Sequence, residues 1–149
     1  LSIENNIVRA DTGVTLAKLS RFCESQGLNG AEFLSAIPGS VGGALAMNAG
    51  AFGFEIWDYV DAVTAIHRSG KIFKRSIDEF NIAYRKVTPQ YQDEYFIGAD
   101  LNFSQTEKQQ NVKALLKKRN DTQPTGQVVA VCLKIHPIIL RQNSLKTVA

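Results

Sequence analysis

Between Ile37 and Ala51 the chain reads Ile37-Pro38-Gly39-Ser40-Val41-Gly42-Gly43-Ala44-Leu45-Ala46-Met47-Asn48-Ala49-Gly50-Ala51, and its glycines and hydroxyl are the first candidates for chemistry. Glycine lets backbone amides approach a pyrophosphate without a Cβ in the way. The Ser40 hydroxyl can assist, and Asn48 can add a side-chain amide. The spacing matches neither the dinucleotide fingerprint G-x-G-x-x-G nor the mononucleotide loop G-x-x-x-x-G-K-S/T. On the residues alone two readings stay open: a cofactor phosphate cradle, or a small-residue helix packed tightly on a sheet. The second candidate is Tyr84-Arg85, followed by a polar loop with Gln92, Asp93 and Glu94. Its arginine is either a surface ion-pair partner or a fixed fork of donors aimed at developing negative charge.

Other chemistry-bearing residues offer less. Cys23 and Cys132 match no metal or redox spacing and have no histidine at a recognisable partner distance, so they read as buried, reduced thiols in a cytoplasmic protein. Two histidines, His67 and His136, are too few for a His-rich site, and no metal centre is expected. Lys113, Lys117, Lys118 and Arg119 form the solvated face of a late helix, without the interleaved aromatics of a nucleic-acid surface. Trp57 and the tyrosines read as core or rim.

The elements that must position these candidates are mixed α and β. Ile3 to Ala10 reads as a strand; Thr15 is an N-cap for a helix from Leu16 to Gln26 with Leu16, Leu19, Phe22 and Cys23 on one face and Gly27 as its stop. A brief helical piece spans Ala31 to Leu34. Val60, Ala62, Thr64 and Ile66 alternate as a strand, turn at Arg68-Ser69-Gly70, and pair back through Ile72-Phe73-Lys74. Ser76-Ile77-Asp78-Glu79 is a capping box opening a short helix ahead of Tyr84-Arg85. Tyr95 to Phe103 is a further strand, and Glu107 to Asn120 an amphipathic helix.

Composition sets the frame. The chain has 149 residues, 44% hydrophobic and 21% charged, enough for one globular domain with a core. The net charge of +3 and the lack of any long apolar run argue against a polyanion binder and a membrane protein. Residues 1–104 carry 9 basic and 12 acidic side chains and residues 105–149 carry 8 and 2, so the last third differs in composition. From Val128 to Ala149 there is no Asp, Glu or Gly, yet 13 of 22 residues are apolar.

Taken together, Gly30-Ala31-Glu32-Phe33, the Ile37–Ala44 run, Met47-Asn48-Ala49-Gly50-Ala51 and Ala83-Tyr84-Arg85 resemble the UDP-N-acetylenolpyruvoylglucosamine reductase (UDP-N-acetylmuramate dehydrogenase) family from about Ile3 to Gln127. The resemblance implies an α+β fold, the FAD-binding lobe of the PCMH-type flavoprotein fold, and a cytoplasmic role in peptidoglycan precursor synthesis. It implies that Ile37, Pro38, Gly39, Ser40, Gly42, Gly43, Ala44, Asn48, Gly50 and Ala51 line FAD, that Tyr84 meets substrate, and that Arg85 is catalytic. NADPH is the implied reductant and a UDP-sugar the implied partner. Arg85 would stabilise an enolate, while a serine supplies a proton and a late glutamate assists.

Two departures accompany the resemblance. The family's Gly-Ser-Asn-containing phosphate loop has no counterpart after Leu1, so the sequence reads as beginning inside a longer gene product, with half the FAD cradle absent. After Gln127 the family continues into a Cys-Gly-Ser-Val-Phe-Lys-Asn-Pro type of motif, where this chain reads Val128-Val129-Ala130-Val131-Cys132-Leu133-Lys134. Synonymous codons for Val128 onward, read from the third base, encode Cys-Gly-Ser-Val-Phe-Lys-Asn-Pro. The same shift carries Leu140–Ala149 into Phe-Ala-Ala-Lys-Leu-Ile-Glu-Asn-Ser-Gly. We therefore expect residues 1–127 to be a partial FAD-binding domain and 128–149 an out-of-frame remnant; the competing reading is a diverged buried strand. Without the serine and the late glutamate, little turnover is expected. The rival functions are a non-catalytic flavin-binding or interaction module, and another oxidoreductase on the same scaffold, against which the combined motifs argue.

Overall fold

The computed structural model of the chain describes residues 1–103 and, beyond them, positions 114, 117 and 121. Ala114 and Lys117 are helical; the rest of the helix read from Glu107 to Asn120, Cys132 and the 128–149 tail lie outside the described residues.

The chain opens on a hairpin. Strands β1 (Ser2–Glu4) and β2 (Ile7–Asp11) run antiparallel around Asn5-Asn6, at φ 50° and 65°. The single strand read from Ile3 to Ala10 is thus two, because consecutive left-handed residues make the turn that suits strand twist, and asparagine tolerates that conformation. Helix α1 (Leu16–Ser25) starts as expected, with Thr15 Oγ1 accepting from the Lys18 amide at 3.4 Å. It buries Leu16, Leu19 and Cys23 and ends at Gly27, whose amide donates to Glu24 O while that of Leu28 donates to Cys23 O. That pair of bonds is the usual glycine-terminated stop.

A 3-10 turn (Glu32–Ala36) leads to α2 (Val41–Met47), capped by Ser40, then to the small hairpin β3 (Gly50–Ala51) and β4 (Phe54–Glu55). A second 3-10 turn (Ile56–Tyr59) buries Trp57, whose indole donates to Leu45 O at 2.8 Å and pins the turn to α2. Strands β5 (Val60–His67) and β6 (Ile72–Ser76) form the expected hairpin.

The Ser76–Glu79 capping box is present, but it drives only one 3-10 turn (Ile77–Glu79). Phe80 and Ile82 then alternate inward with Asn81 and Ala83, a two-residue period that makes strand rather than helix. Tyr84-Arg85 therefore follows a strand, as the two-residue turn between β7 (Phe80–Ala83) and β8 (Lys86–Pro89). Strand β9 (Glu94–Asn102) closes the described chain.

The main sheet is antiparallel with order β1-β2-β9-β5-β6. Val8, Ala10, Val63, Ala99 and Leu101 from its strands share one core with Leu16, Leu19, Val41, Ala44 and Leu45 from the two helices. Asp100, between two core residues, faces the other side, where it pairs with Arg9 at 2.9 Å and Lys74 at 2.8 Å. Burial pushes its carboxyl up, but the bonds from Lys74 and Arg9 outweigh that and hold it below the usual carboxylate range. This α+β arrangement is the fold class the sequence indicates. Among the described residues no helix is long and apolar enough to cross a membrane.

Candidate functional site

The C-terminal end of α2 opens onto a cavity of about 590 Å³. Met47, Asn48 and Ala49 line it from the end of α2, the β3–β4 hairpin contributes Gly50, Ala51, Gly53, Phe54 and Glu55, and Tyr84-Arg85, Ile37 and Asp58 complete the lining. The volume falls in the range of small-molecule sites, and the wall combines apolar side chains with a few polar groups.

Local sequence explains each wall. Asn48 ends α2 in the left-handed conformation, φ 42°, and its amide and that of Ala49 close the helix by donating to Leu45 O and Ala44 O. Gly50 sits where a Cβ would lie 2.4 Å from Phe54 O, so only glycine lets the two short strands approach. Glu55 and Asp58 cap the second 3-10 turn reciprocally, the Glu55 amide donating to Asp58 Oδ2 at 3.1 Å. Arg85 occupies the second position of its turn at φ 51°, conformationally costly for a residue with a Cβ, and its guanidinium lies 5.8 Å from the Tyr84 ring centre. Tyr84 is 81% exposed, so neither core nor rim describes it.

The cavity thus gathers Ile37, Asn48, Gly50, Ala51, Tyr84 and Arg85 from the candidates; Pro38, Gly39, Ser40, Gly42, Gly43 and Ala44 do not line it. Ala44 is buried in the middle of α2, and Pro38 to Gly43 sit at its other end. There the amides of Val41 and Gly42 are spent on Val14 O and Thr12 O at 2.8 and 2.9 Å, and the Ser40 hydroxyl accepts from the Gly43 amide at 3.4 Å. A Cβ on Gly42 would lie 2.8 Å from Thr12 Cβ, so tight packing of α2 on the turn that follows β2 accounts for this glycine. Gly39, at φ 137°, faces open space.

Within the Ile37–Ala51 run the individual site candidates left out Met47 and Ala49, and beyond it the sequence reading missed Gly53, Phe54, Glu55 and Asp58. The Glu55-x-x-Asp58 spacing was a usable signal, since a carboxylate pair three apart is the pattern of a reciprocal cap. A smaller cavity of about 150 Å³, between Glu4, Arg9, Lys74 and Asp100, has its two cations already matched to Asp100. Cys23 is buried elsewhere, beneath α1, where burial and the nearby Glu32 push its thiol up to about 12. Among the described residues no cluster of His, Cys, Asp and Glu could hold a metal.

An isoalloxazine-sized ring suits this cavity: glycines and alanines leave one wall low, Ile37 and Phe54 supply apolar contact, and Arg85 supplies charge. The pyrophosphate is not served by the amides of Val41 and Gly42, which already have partners.

The chain is similar to known proteins of one family. A family profile described as FAD binding domain matches residues 1–76. The UDP-N-acetylenolpyruvoylglucosamine reductase of Coxiella burnetii (strain RSA 493 / Nine Mile phase I) is 49% identical over 123 residues, 80% of this chain and 39% of that protein. The protein of the same name from Alkalilimnicola ehrlichii is 45% identical over 130 residues, 85% of this chain and 43% of that one. The crystal structure of UDP-N-acetylenolpyruvylglucosamine reductase (MurB) from Thermus caldophilus superposes with a TM-score of 0.59 at 26% identity, over 80% of this chain and 42% of that chain. The chain spans about two fifths of the length of the relatives it matches.

Proposed function

The chain belongs to the FAD binding domain family, and from that premise we propose that it carries the flavin-side half of a UDP-N-acetylenolpyruvoylglucosamine reductase site. The observation that carries this reading is the meeting of the α2 end and the Tyr84-Arg85 turn across one cavity.

FAD, when bound, would supply hydride transfer from NADPH to the enolpyruvyl ether of a UDP-sugar, in peptidoglycan precursor synthesis. Ile37, Asn48, Gly50 and Ala51 would form the ring's wall, with Gly39 and Ser40 beside the path to α2. Arg85 would oppose the negative charge that develops on the substrate, the task a fixed fork of donors performs well. Tyr84, projecting from the same turn, would offer its ring and hydroxyl to the substrate. Arginine stays charged and does not deliver the proton; the resemblance gives that step to a serine and a late glutamate beyond the residues of this cavity.

We assign residues 1–127 to a partial FAD-binding domain, whose first part the family profile covers at residues 1–76, and read 128–149 as an out-of-frame remnant of the start of the substrate-binding domain. Sequencing the gene across Gln127 tests it, and a coding sequence lacking the shifted triplets overturns it.

Flavin titration tests the function. FAD fluorescence should be quenched saturably by the 149-residue protein, and equally by Arg85→Ala if the variant is folded; a folded protein that leaves the fluorescence unchanged overturns the reading. A second reading, a non-catalytic interaction module, is favoured by Gly42 and Gly50, whose close packing explains them without a ligand. A folded protein that leaves FAD fluorescence unquenched would select it.

A further inference from the structure

Asn48 is the one buried residue among those lining the cavity, with 2% of its surface exposed. Its left-handed backbone at the end of α2 asks only for glycine or asparagine, and that backbone role makes no use of the carboxamide. The carboxamide is nevertheless engaged. Its Nδ2 donates to Glu55 Oε2 at 2.5 Å and to Ala83 O at 3.5 Å. One side chain thereby joins the end of α2 to β4 and to the last residue of β7, two positions before Arg85.

Its orientation follows from Glu55, because a carboxylate only accepts and the nitrogen must face it. The consequence is a buried Oδ1 with no hydrogen-bond partner among the described residues, which is a net cost to the fold. Glycine at this position would keep the helix cap and carry no orphaned acceptor. Stability alone therefore does not account for asparagine here, and the two bonds made by Nδ2 do. They hold a turn in need of holding: Arg85 lies at φ 51°, in a conformation that resists a Cβ.

The geometry points to Asn48 as a positioning residue that fixes the β7–β8 turn and so keeps the Arg85 guanidinium over the cavity. This rests on the proposed role of Arg85 at that cavity. The strut itself exists without any ligand, so the two claims can fail separately.

Limited trypsin digestion of the full chain, with fragments identified by mass, tests the strut, because Arg85 is itself a cleavage site on an exposed turn. Asn48→Gly preserves the left-handed cap and deletes only the carboxamide. Cleavage after Arg85 should accelerate roughly three- to tenfold, the factor set by one lost hydrogen bond. Cleavage after Arg68, in the distant β5–β6 turn, and the Tm should stay as in the wild type. Asn48→Asp, which sets a second carboxylate against Glu55, should loosen the turn at least as much. Equal cleavage after Arg85 in wild type and Asn48→Gly overturns the inference. So does a general rise at both arginines with a fallen Tm, which would make Asn48 an ordinary fold residue. Adding FAD to the wild type should slow cleavage after Arg85; if it does not while the Asn48→Gly effect stands, the strut holds and the flavin reading of the cavity falls.

Discussion

The guanidinium of Arg75 grips the carboxylate of Glu94 twice, Nε to Oε2 at 3.0 Å and Nη2 to Oε1 at 2.5 Å, joining the edge strand β6 to β9 across β5. The same guanidinium bonds Glu79 at 3.0 Å and lies 3.7 Å from the Tyr91 ring centre. A planar fork serves all of these partners at once and an ammonium does not. Arg75→Lys should therefore lower the Tm by several degrees although the charge is kept, as thermal unfolding followed by circular dichroism would show.

Acid sensitivity follows from two carboxyls. Arg75 holds Glu94 below the usual range, and the pairing of Asp100 with Lys74 and Arg9 does the same despite its burial. A carboxyl whose pKa is lower folded than unfolded stabilises the fold above the unfolded value, about 4 for these groups. That contribution drains away as pH falls through the folded value. The Tm should thus hold down to about pH 5 and decline below pH 4; Asp100→Asn should start lower and decline less steeply. An unchanged acid slope in Asp100→Asn would show that the buried carboxylate is not the source.

Neighbouring glycines of α2 should respond in opposite directions. At Gly42 a Cβ meets Thr12 Cβ at 2.8 Å, whereas at Gly43 the nearest atom is Ser40 Oγ at 3.8 Å. Gly43→Ala removes backbone freedom from the unfolded chain at no steric cost and should stabilise by about 0.5–1 kcal/mol. Gly42→Ala should destabilise by about 1–3 kcal/mol, because the helix must move off Thr12 in the turn after β2. Urea melts of the two variants distinguish the signs directly.

Arg85 should show a trade between stability and function. Arg85→Gly relaxes a residue at φ 51°, a gain of about 1 kcal/mol that the greater freedom of unfolded glycine largely offsets. Its Tm should equal or slightly exceed that of the wild type. Under the function proposed above, the flavin absorbance change on adding the enolpyruvyl UDP-sugar should disappear. A large fall in Tm instead would mean that the arginine holds the turn together.

Cys23 should be silent until the protein unfolds. Burial and the charge of Glu32 push its thiol up to about 12, so at pH 8 the thiolate is scarce and covered. Iodoacetamide should leave the Cys23 peptide unmodified in native protein and label it fully in guanidinium. Native-state labelling at the unfolded rate would contradict the burial.

Much of the local structure was legible because it is local. Thr15 and Gly27 bound α1, Ser76 and Glu79 form their box, and the β5–β6 hairpin turns where Arg68-Ser69-Gly70 predicts, since each of these signals acts within a few residues. The helix expected before Tyr84 failed for the same reason: a capping box announces a first turn and says nothing of whether the next residues continue it. Phe80 and Ile82, placed against the Trp57 side of the core, decided for strand.

The amino-acid sequence by itself determined the α+β class, the family resemblance and the two stretches around Asn48 and Arg85 to which we assign function. Glycines, caps and alternating apolar residues write those facts into short windows. Only the tertiary structure decided that these two stretches line one cavity, that the amides at the start of α2 are spent on Thr12 and Val14, and that the Asn48 carboxamide spans α2, β4 and β7. Those are contacts between residues far apart in the chain, and no short window of sequence holds both partners.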